Sequence, residues 1–256
     1  MKHSRIRGLA PFVGAVIALA AASSYGAGEP KWTYGGATGP AKWAGLNPDY
    51  YVCGSGERQS PIDIQSARAD MGALPSLLFD YKPSPLKVVD TGRTIQVNFA
   101  SGNTLRIAGT KFELLHVQFH RPSEMKIDGK GQAMAAHLVH KSPDGKLAIV
   151  AVQLESGAGN ALTKSVFRNL PKDKGKESTV EGVTVNALDL LPKDKKAYYT
   201  FNGSLTAPPC SEDVTWFVLP SPSSIAPDDI ARFASAYPMN ARPVQPLNGR
   251  PVQGTR

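Results

Sequence analysis

Four histidines fall within 25 residues of one another: His116, His120, His137 and His140. The fifth, His3, stands apart near the amino terminus. Neutral imidazole is a good zinc ligand, and catalytic zinc sites are commonly assembled from such groups. The four sit on two strand-like segments separated by the turn signal Asp128-Gly129. Side chains on a strand alternate between faces. His116, Gln118 and His120 therefore share a face, His137 and Val139 share another, and His140 points the opposite way. Antiparallel pairing of the two segments would bring His120 and His137 together, as a metal requires. Hydrogen-bonded core histidines would show the same spacing, so spacing alone leaves both readings open.

A pair of histidines held in this way needs a sheet behind it, and the chain has the composition for one. Gly (24) and Pro (21) supply frequent turns in 256 residues and favour short strands over long helices. Thr94–Phe99 and Thr104–Ile107 alternate polar and apolar residues. Leu114–His120 and His137–His140 are strand-like. Lys146–Leu154 and Val214–Leu219 are mostly apolar runs that suit central strands. The best helix is Pro227–Ala236, which opens on proline and two acids before an alanine-rich stretch. The pattern predicts a large, mostly antiparallel sheet with little helix.

Hydrophobic residues at 41% and charged residues at 20% exclude a disordered chain and a multi-span membrane protein. The amino terminus carries Lys2, Arg5 and Arg7, then a small and apolar run from Gly8 to Ala22, then small residues. That order predicts an export signal over residues 1–26, with the domain over residues 27–256. The run is too short for a lasting membrane span of about 20 residues. Loss of three cations takes the formal charge from +8 to +5. The remaining lysines, such as Lys172, Lys174, Lys176, Lys193, Lys195 and Lys196, read as solvated loops. They carry no nucleic-acid motif, and nucleic acid is not expected as a partner. Export implies a periplasmic or secreted location, which favours a bridge between the two cysteines, Cys53 and Cys210. At 157 positions apart they lack CxxC spacing.

Beyond these patterns, a series of segments resembles the α-class carbonic anhydrases from about Lys31 to Arg250. They are Lys31-Trp32-Thr33-Tyr34, Gly39-Pro40 with Trp43, and Gln59-Ser60-Pro61-Ile62-Asp63-Ile64. Phe119-His120-Arg121-Pro122-Ser123-Glu124 and His137-Leu138-Val139-His140 follow. The last are Gly203 to Cys210, Val214-Thr215-Trp216 and Asn240-Ala241-Arg242-Pro243. The resemblance implies a mainly β single domain, a large, twisted, mostly antiparallel central sheet with short peripheral helices, together with a Cys53–Cys210 disulfide, a zinc cofactor, and carbon dioxide and bicarbonate as substrates. It implies that His120 and His137 are metal ligands. It also implies that Thr206 accepts a hydrogen bond from the zinc-bound hydroxide and Glu124 orients that threonine. Val139, Leu205, Ala207 and Trp216 would line the substrate pocket.

One position departs from that pattern in a way that bears on chemistry. Where the family has its first zinc histidine, this chain has Gln118, in His116-Val117-Gln118-Phe119-His120. An amide oxygen is a harder and weaker donor that suits zinc poorly. His116 lies four residues from His120, about 13–14 Å along an extended strand, which is far to reach one ion. The position of the family's histidine proton shuttle is Arg93, a side chain that stays protonated near neutral pH. The acid that orients the third histidine maps to Ala135, and a neighbouring histidine maps to Met125. The expectation is an exported carbonic anhydrase relative with weak or absent zinc and slow or lost carbon dioxide hydration. The alternative is an active enzyme using His120, His137 and a non-standard third ligand, Gln118 or His116.

Overall fold

The computed structural model describes Met1 and residues 31–255, so the predicted export signal lies outside the described residues apart from Met1. Runs of alternating or continuous apolar character form the strands, closed off by glycine, proline and Asn/Asp turns. Along the first half these are β1 (Asp63–Ile64), β2 (Asp70–Gly72), β3 (Leu78–Asp80), β4 (Ser84–Asp90), β5 (Ile95–Asn98), β6 (Thr104–Ile107) and β7 (Thr110–His120). After them come β8 (Lys126–Ile127), β9 (Met134–Lys141), β10 (Leu147–Ser156), β11 (Glu177–Val185), β12 (Tyr199–Gly203), β13 (Val214–Ile225) and β14 (Gln253–Thr255). Twelve of these join one sheet in the order β11-β4-β5-β7-β9-β10-β13-β12-β14-β2, with β3 and β6 alongside the start of β7. Its pairings are antiparallel except β10 with β13 and β14 with β2. The predicted mainly β, mostly antiparallel architecture is what forms.

Among the described residues the α-helices are short and peripheral: α1 (Val52–Ser55), α2 (Ala161–Arg168) and α3 (Pro227–Ala236). The α2 start is capped by Asn160, whose Oδ1 accepts from the Thr163 N–H at 2.9 Å. Pro227 and the acids Asp228 and Asp229 begin α3, as the sequence pattern predicts. Phe167 of α2 and Phe233 of α3 meet edge to face over the sheet. They pack into a core with Val97, Val117, Phe119, Leu138 and Val150. The opposite face of the sheet is covered by a second cluster that includes Ile62, Ile64, Ile149 and Trp216. Strands β9 and β10 are thus buried on both faces, which is why their sequences are largely apolar instead of alternating, with His137, His140 and Gln153 as buried polar exceptions.

The strand that carries three of the polar site candidates contains a bulge. Leu114 pairs with His140 and His116 with Val139, so Leu115 is an extra residue on β7. Leu114 belongs to the helix-side core. His116, two residues on, would share its face on a regular strand. The bulge resets the alternation and turns His116, Gln118 and His120 to the other side, opposite Val139, His137 and Ala135.

Candidate active site

A cavity of about 440 Å³ opens on the face of β7 and β9 that turns away from α2 and α3. His116, Gln118, His120, His137 and Val139 all reach its wall. At its base the rings of His120 and His137 lie 4.5 Å apart between centroids, tilted by 36°, and both are buried. The Nδ1 of His120 lies 2.9 Å from the Asn240 carbonyl oxygen. A carbonyl only accepts, so Nδ1 carries the proton and Nε2 keeps a free lone pair. That Nε2 is buried with no hydrogen-bond partner, and so is the Nε2 of His137. Burial, and then the neighbouring His120, holds the His137 pKa well below its ordinary value, which keeps this ring neutral near pH 7. Two buried ring nitrogens without partners, one in a ring oriented by a backbone carbonyl, fit a metal ion.

Glu124 follows β7, and its carboxylate lies near the Nδ1 atoms of both rings. Its Oε1 accepts from the Arg242 backbone N–H at 2.8 Å. Its Oε2 lies 3.4 Å from Nδ1 of His120 and 3.6 Å from Nδ1 of His137, with no hydrogen-bond partner of its own. Burial pushes the Glu124 carboxyl pKa up, opposed by His120, the Arg242 N–H and the Thr206 hydroxyl. His120, Glu124 and His137 thereby bring donor atoms within 4.8 Å of one another. For His120, however, Glu124 sits at the Nδ1 edge of the ring, which Asn240 already occupies. The unpartnered Nε2 is on the far side.

Gln118 is the direct cross-strand partner of His137. Its Nε2 donates to Gln96 Oε1 at 3.0 Å. His116 lies on the cavity wall but outside the close donor group, and burial lowers its pKa to about 4. His140 faces the opposite side of the sheet, against Tyr81.

Thr206 lies on a tight loop between β12 and β13. Leu205 N–H bonds to Ser211 O at 2.9 Å and Cys210 N–H to Ala207 O at 2.9 Å, closing the loop on itself. The Cys53–Cys210 disulfide joins it to α1. Leu205, Ala207 and Val139 contribute to the apolar side of the cavity. Trp216 does not reach that surface. It is fully buried, packs edge-on against His137 at 5.0 Å, and donates its indole N–H to Ser204 O at 3.0 Å. Arg93 lies over Trp32 at 4.2 Å on the cavity rim.

Sequence patterns missed how much depends on Asn240 and Arg242. Asn240 accepts from Arg121 N–H at 2.7 Å and donates to the Phe119 and Arg93 carbonyls, besides fixing His120. Arg242 donates to Gln59, to the Ser60 carbonyl and to the Cys53 carbonyl. Both are fixed in a segment without regular secondary structure, where no periodicity marks a buried residue. A polar Asn-x-Arg that the fold buries is visible only once its distant partners are in place.

Buried imidazoles in a mostly apolar cavity, on a large, mostly antiparallel sheet, form a scaffold of the carbonic anhydrase kind. The profile of the eukaryotic-type carbonic anhydrases matches residues 38–256. A carbonic anhydrase of Nostoc sp. is 40% identical over 85% of this chain and 83% of its own length. One from Neisseria gonorrhoeae is 38% identical over 94% of this chain and 96% of its own. Among solved structures, the α-carbonic anhydrase of Thermovibrio ammonificans with the inhibitor sulfanilamide superposes with a TM-score of 0.84. It is 34% identical and covers 90% of this chain and 100% of its own. Dioscorin complexed with ascorbate superposes at 0.80 with 30% identity, over 88% of this chain and 97% of its own. The chain belongs to the eukaryotic-type carbonic anhydrase family, whose members are zinc enzymes that hydrate carbon dioxide reversibly.

Proposed function

We propose that this protein is an exported, periplasmic or secreted, member of the family in which zinc retention and carbon dioxide hydration are weakened by Gln118. The observation that carries the reading is the state of the Gln118 side chain. It lines the cavity opposite His137, and its NH2 group is engaged by Gln96. Only its carbonyl oxygen is left to serve beside two imidazoles. His120 and His137 would hold the zinc, with that oxygen as a weak third donor. Export is supported by the amino-terminal sequence and by the disulfide.

Zinc, when bound at such a site, acts as a Lewis acid that makes water nucleophilic near neutral pH. The chain's own residues do the rest. Asn240 fixes the ring of His120 so that its Nε2 lone pair is available. Glu124, held by the Arg242 N–H, would bear on the Thr206 hydroxyl, which in turn would orient the attacking oxygen. Val139, Leu205 and Ala207 present an apolar wall that suits carbon dioxide better than water. Arg93 on the rim cannot pass protons near neutral pH.

The test is metal content and carbon dioxide hydration of the mature protein prepared with zinc, alongside Gln118→His. The expected result is substoichiometric zinc and slow turnover in the unmodified protein, both rising at least about 10-fold in the variant. Stoichiometric zinc with rapid turnover in the unmodified protein overturns the reading. It would select a working enzyme with a non-standard third ligand, which the placement of Glu124 and Thr206 favours.

A further inference from the structure

The amide of Gln118 is the first link of a hydrogen-bonded chain that leaves the cavity and ends at the sheet margin. Gln118 Nε2 donates to Gln96 Oε1 at 3.0 Å. Gln96 Nε2 donates to Asn98 Oδ1 at 2.7 Å. Asn98 Nδ2 donates to Glu177 Oε2 at 2.7 Å. Gln96 is the cross-strand partner of Gln118, and Asn98 is two residues further along β5 on the same face. Glu177 begins β11, the terminal strand of the sheet, and reaches across β4, where Lys87 Nζ meets its Oε1 at 3.5 Å.

An amide can turn either end toward a neighbour, but an ionised carboxylate accepts only. Glu177 therefore requires the NH2 of Asn98. The oxygen of Asn98 then requires the NH2 of Gln96, and the oxygen of Gln96 requires the NH2 of Gln118. We propose that Glu177, through Asn98 and Gln96, is a positioning relay that makes Gln118 present its carbonyl oxygen, not its NH2 group, to the His120–His137 site. This rests on the reading above, in which the metal binds where Gln118 faces His137. The relay turns a residue that could block a cation with two N–H donors into one that offers a lone pair. Gln96, Asn98 and Glu177 touch no substrate or metal. They act through Gln118.

Zinc affinity of the mature chain, read by competition with a chromophoric chelator, tests the relay. Gln96→Leu, which frees the Gln118 amide, weakens zinc binding about 10-fold, the size of a typical loss on removing a partner of a metal ligand. Glu177→Gln, which removes the fixed direction at the far end, weakens it about threefold. Gln96→Glu still accepts from Gln118 and keeps the affinity. A Gln118→Ala background serves as the control, because effects transmitted through Gln118 disappear there. Equal losses with and without Gln118, or equal zinc affinity of the unmodified and Gln118→Ala chains, overturn the relay. A metal-free readout runs beside it: solvent exchange of the Gln118 side-chain NH2 protons is about 10-fold faster in Gln96→Leu. Unchanged exchange also overturns it. None of these results bears on whether a histidine at position 118 restores zinc, which Gln118→His alone decides.

Discussion

Acid should destabilise this fold through a histidine that has no part in the metal site. His140 is on β9, three residues from His137 but on the helix-side face, and is fully buried. Its Nδ1 lies 3.2 Å from the Ala148 carbonyl oxygen, which only accepts, so Nδ1 carries the proton. Its Nε2 must then accept from the Tyr81 O–H at 2.6 Å. The neutral ring is fully satisfied. A protonated ring would drive a second N–H at the Tyr81 hydroxyl and place a charge in an apolar core. Burial lowers the His140 pKa from 6.5 to about 4. The unfolded chain takes up this proton near pH 6.5 and the folded chain only near 4, so the unfolded state binds more protons in between. Stability is therefore lost as pH falls through that window and gains nothing further above it. At about 1.4 kcal/mol per pH unit the loss is about 3 kcal/mol, a large part of the about 5–15 kcal/mol typical of a domain. Urea unfolding of the unmodified protein and His140→Gln, from about pH 7.5 down to about pH 4, measures it. His116, also lowered to about 4, adds a similar slope to both proteins, so the difference between them isolates His140. The unmodified protein should lose about 3 kcal/mol more than the variant across the range. Parallel loss in the two proteins would refute the assignment.

Two further outcomes follow from contacts around the site. Cys53 and Cys210 are 157 residues apart, and loop-closure entropy for that length gives about 5 kcal/mol of stabilisation. Cys53→Ser with Cys210→Ser should lower the urea midpoint by the equivalent of about 2–5 kcal/mol, and no change on reduction of the unmodified protein would contradict this. Asn240→Ala removes the partner of the Arg121 N–H and of the Arg93 carbonyl, at about 1–2 kcal/mol each, whereas the Phe119 carbonyl keeps the Thr94 hydroxyl. It should destabilise the fold by about 2–4 kcal/mol in the same assay, whereas a loss under about 1 kcal/mol would mean that water replaces the amide.

How far the sequence carries the structure depends on whether the signal is local. Thr104–Ile107 and Pro227–Ala236 form over the predicted residues, because alternation in one case and a proline-acid start in the other are local properties. Lys146–Leu154 and His137–His140 are found within or nearly within longer strands, since end residues are decided by pairing partners. The helix Ala161–Arg168 went unread, although Asn160 three residues before Thr163 is the cap that announces it. Glu177–Val185 went unread for a different reason. Most of its residues are exposed on a terminal strand, so it lacks the buried alternation that marks the others. The shared face of His116, Gln118 and His120 follows from period-two alternation. The bulge at Leu115, which sets that face opposite His137 and away from the helices, has no signature in the sequence.

The groups that shape the site are held by contacts that do not involve a metal. His120 is fixed by Asn240, Glu124 by Arg242, and the Thr206 loop by its own backbone bonds and the disulfide. Each anchor connects backbone or buried polar groups that would cost free energy if left unpaired, so each is required by folding alone. Gln118 fits the same logic, because its amide finds a partner in Gln96 within the sheet. An amide at position 118 is therefore accommodated by the strand pairing itself. On the proposed function, the requirements of the fold and those of zinc coincide at Asn240 and Arg242 but separate at position 118. That makes position 118 a place where metal affinity can be altered with little effect on stability. Urea unfolding of Gln118→His beside its zinc affinity tests this directly: affinity should move by at least about 10-fold while stability without metal moves by less than about 1 kcal/mol.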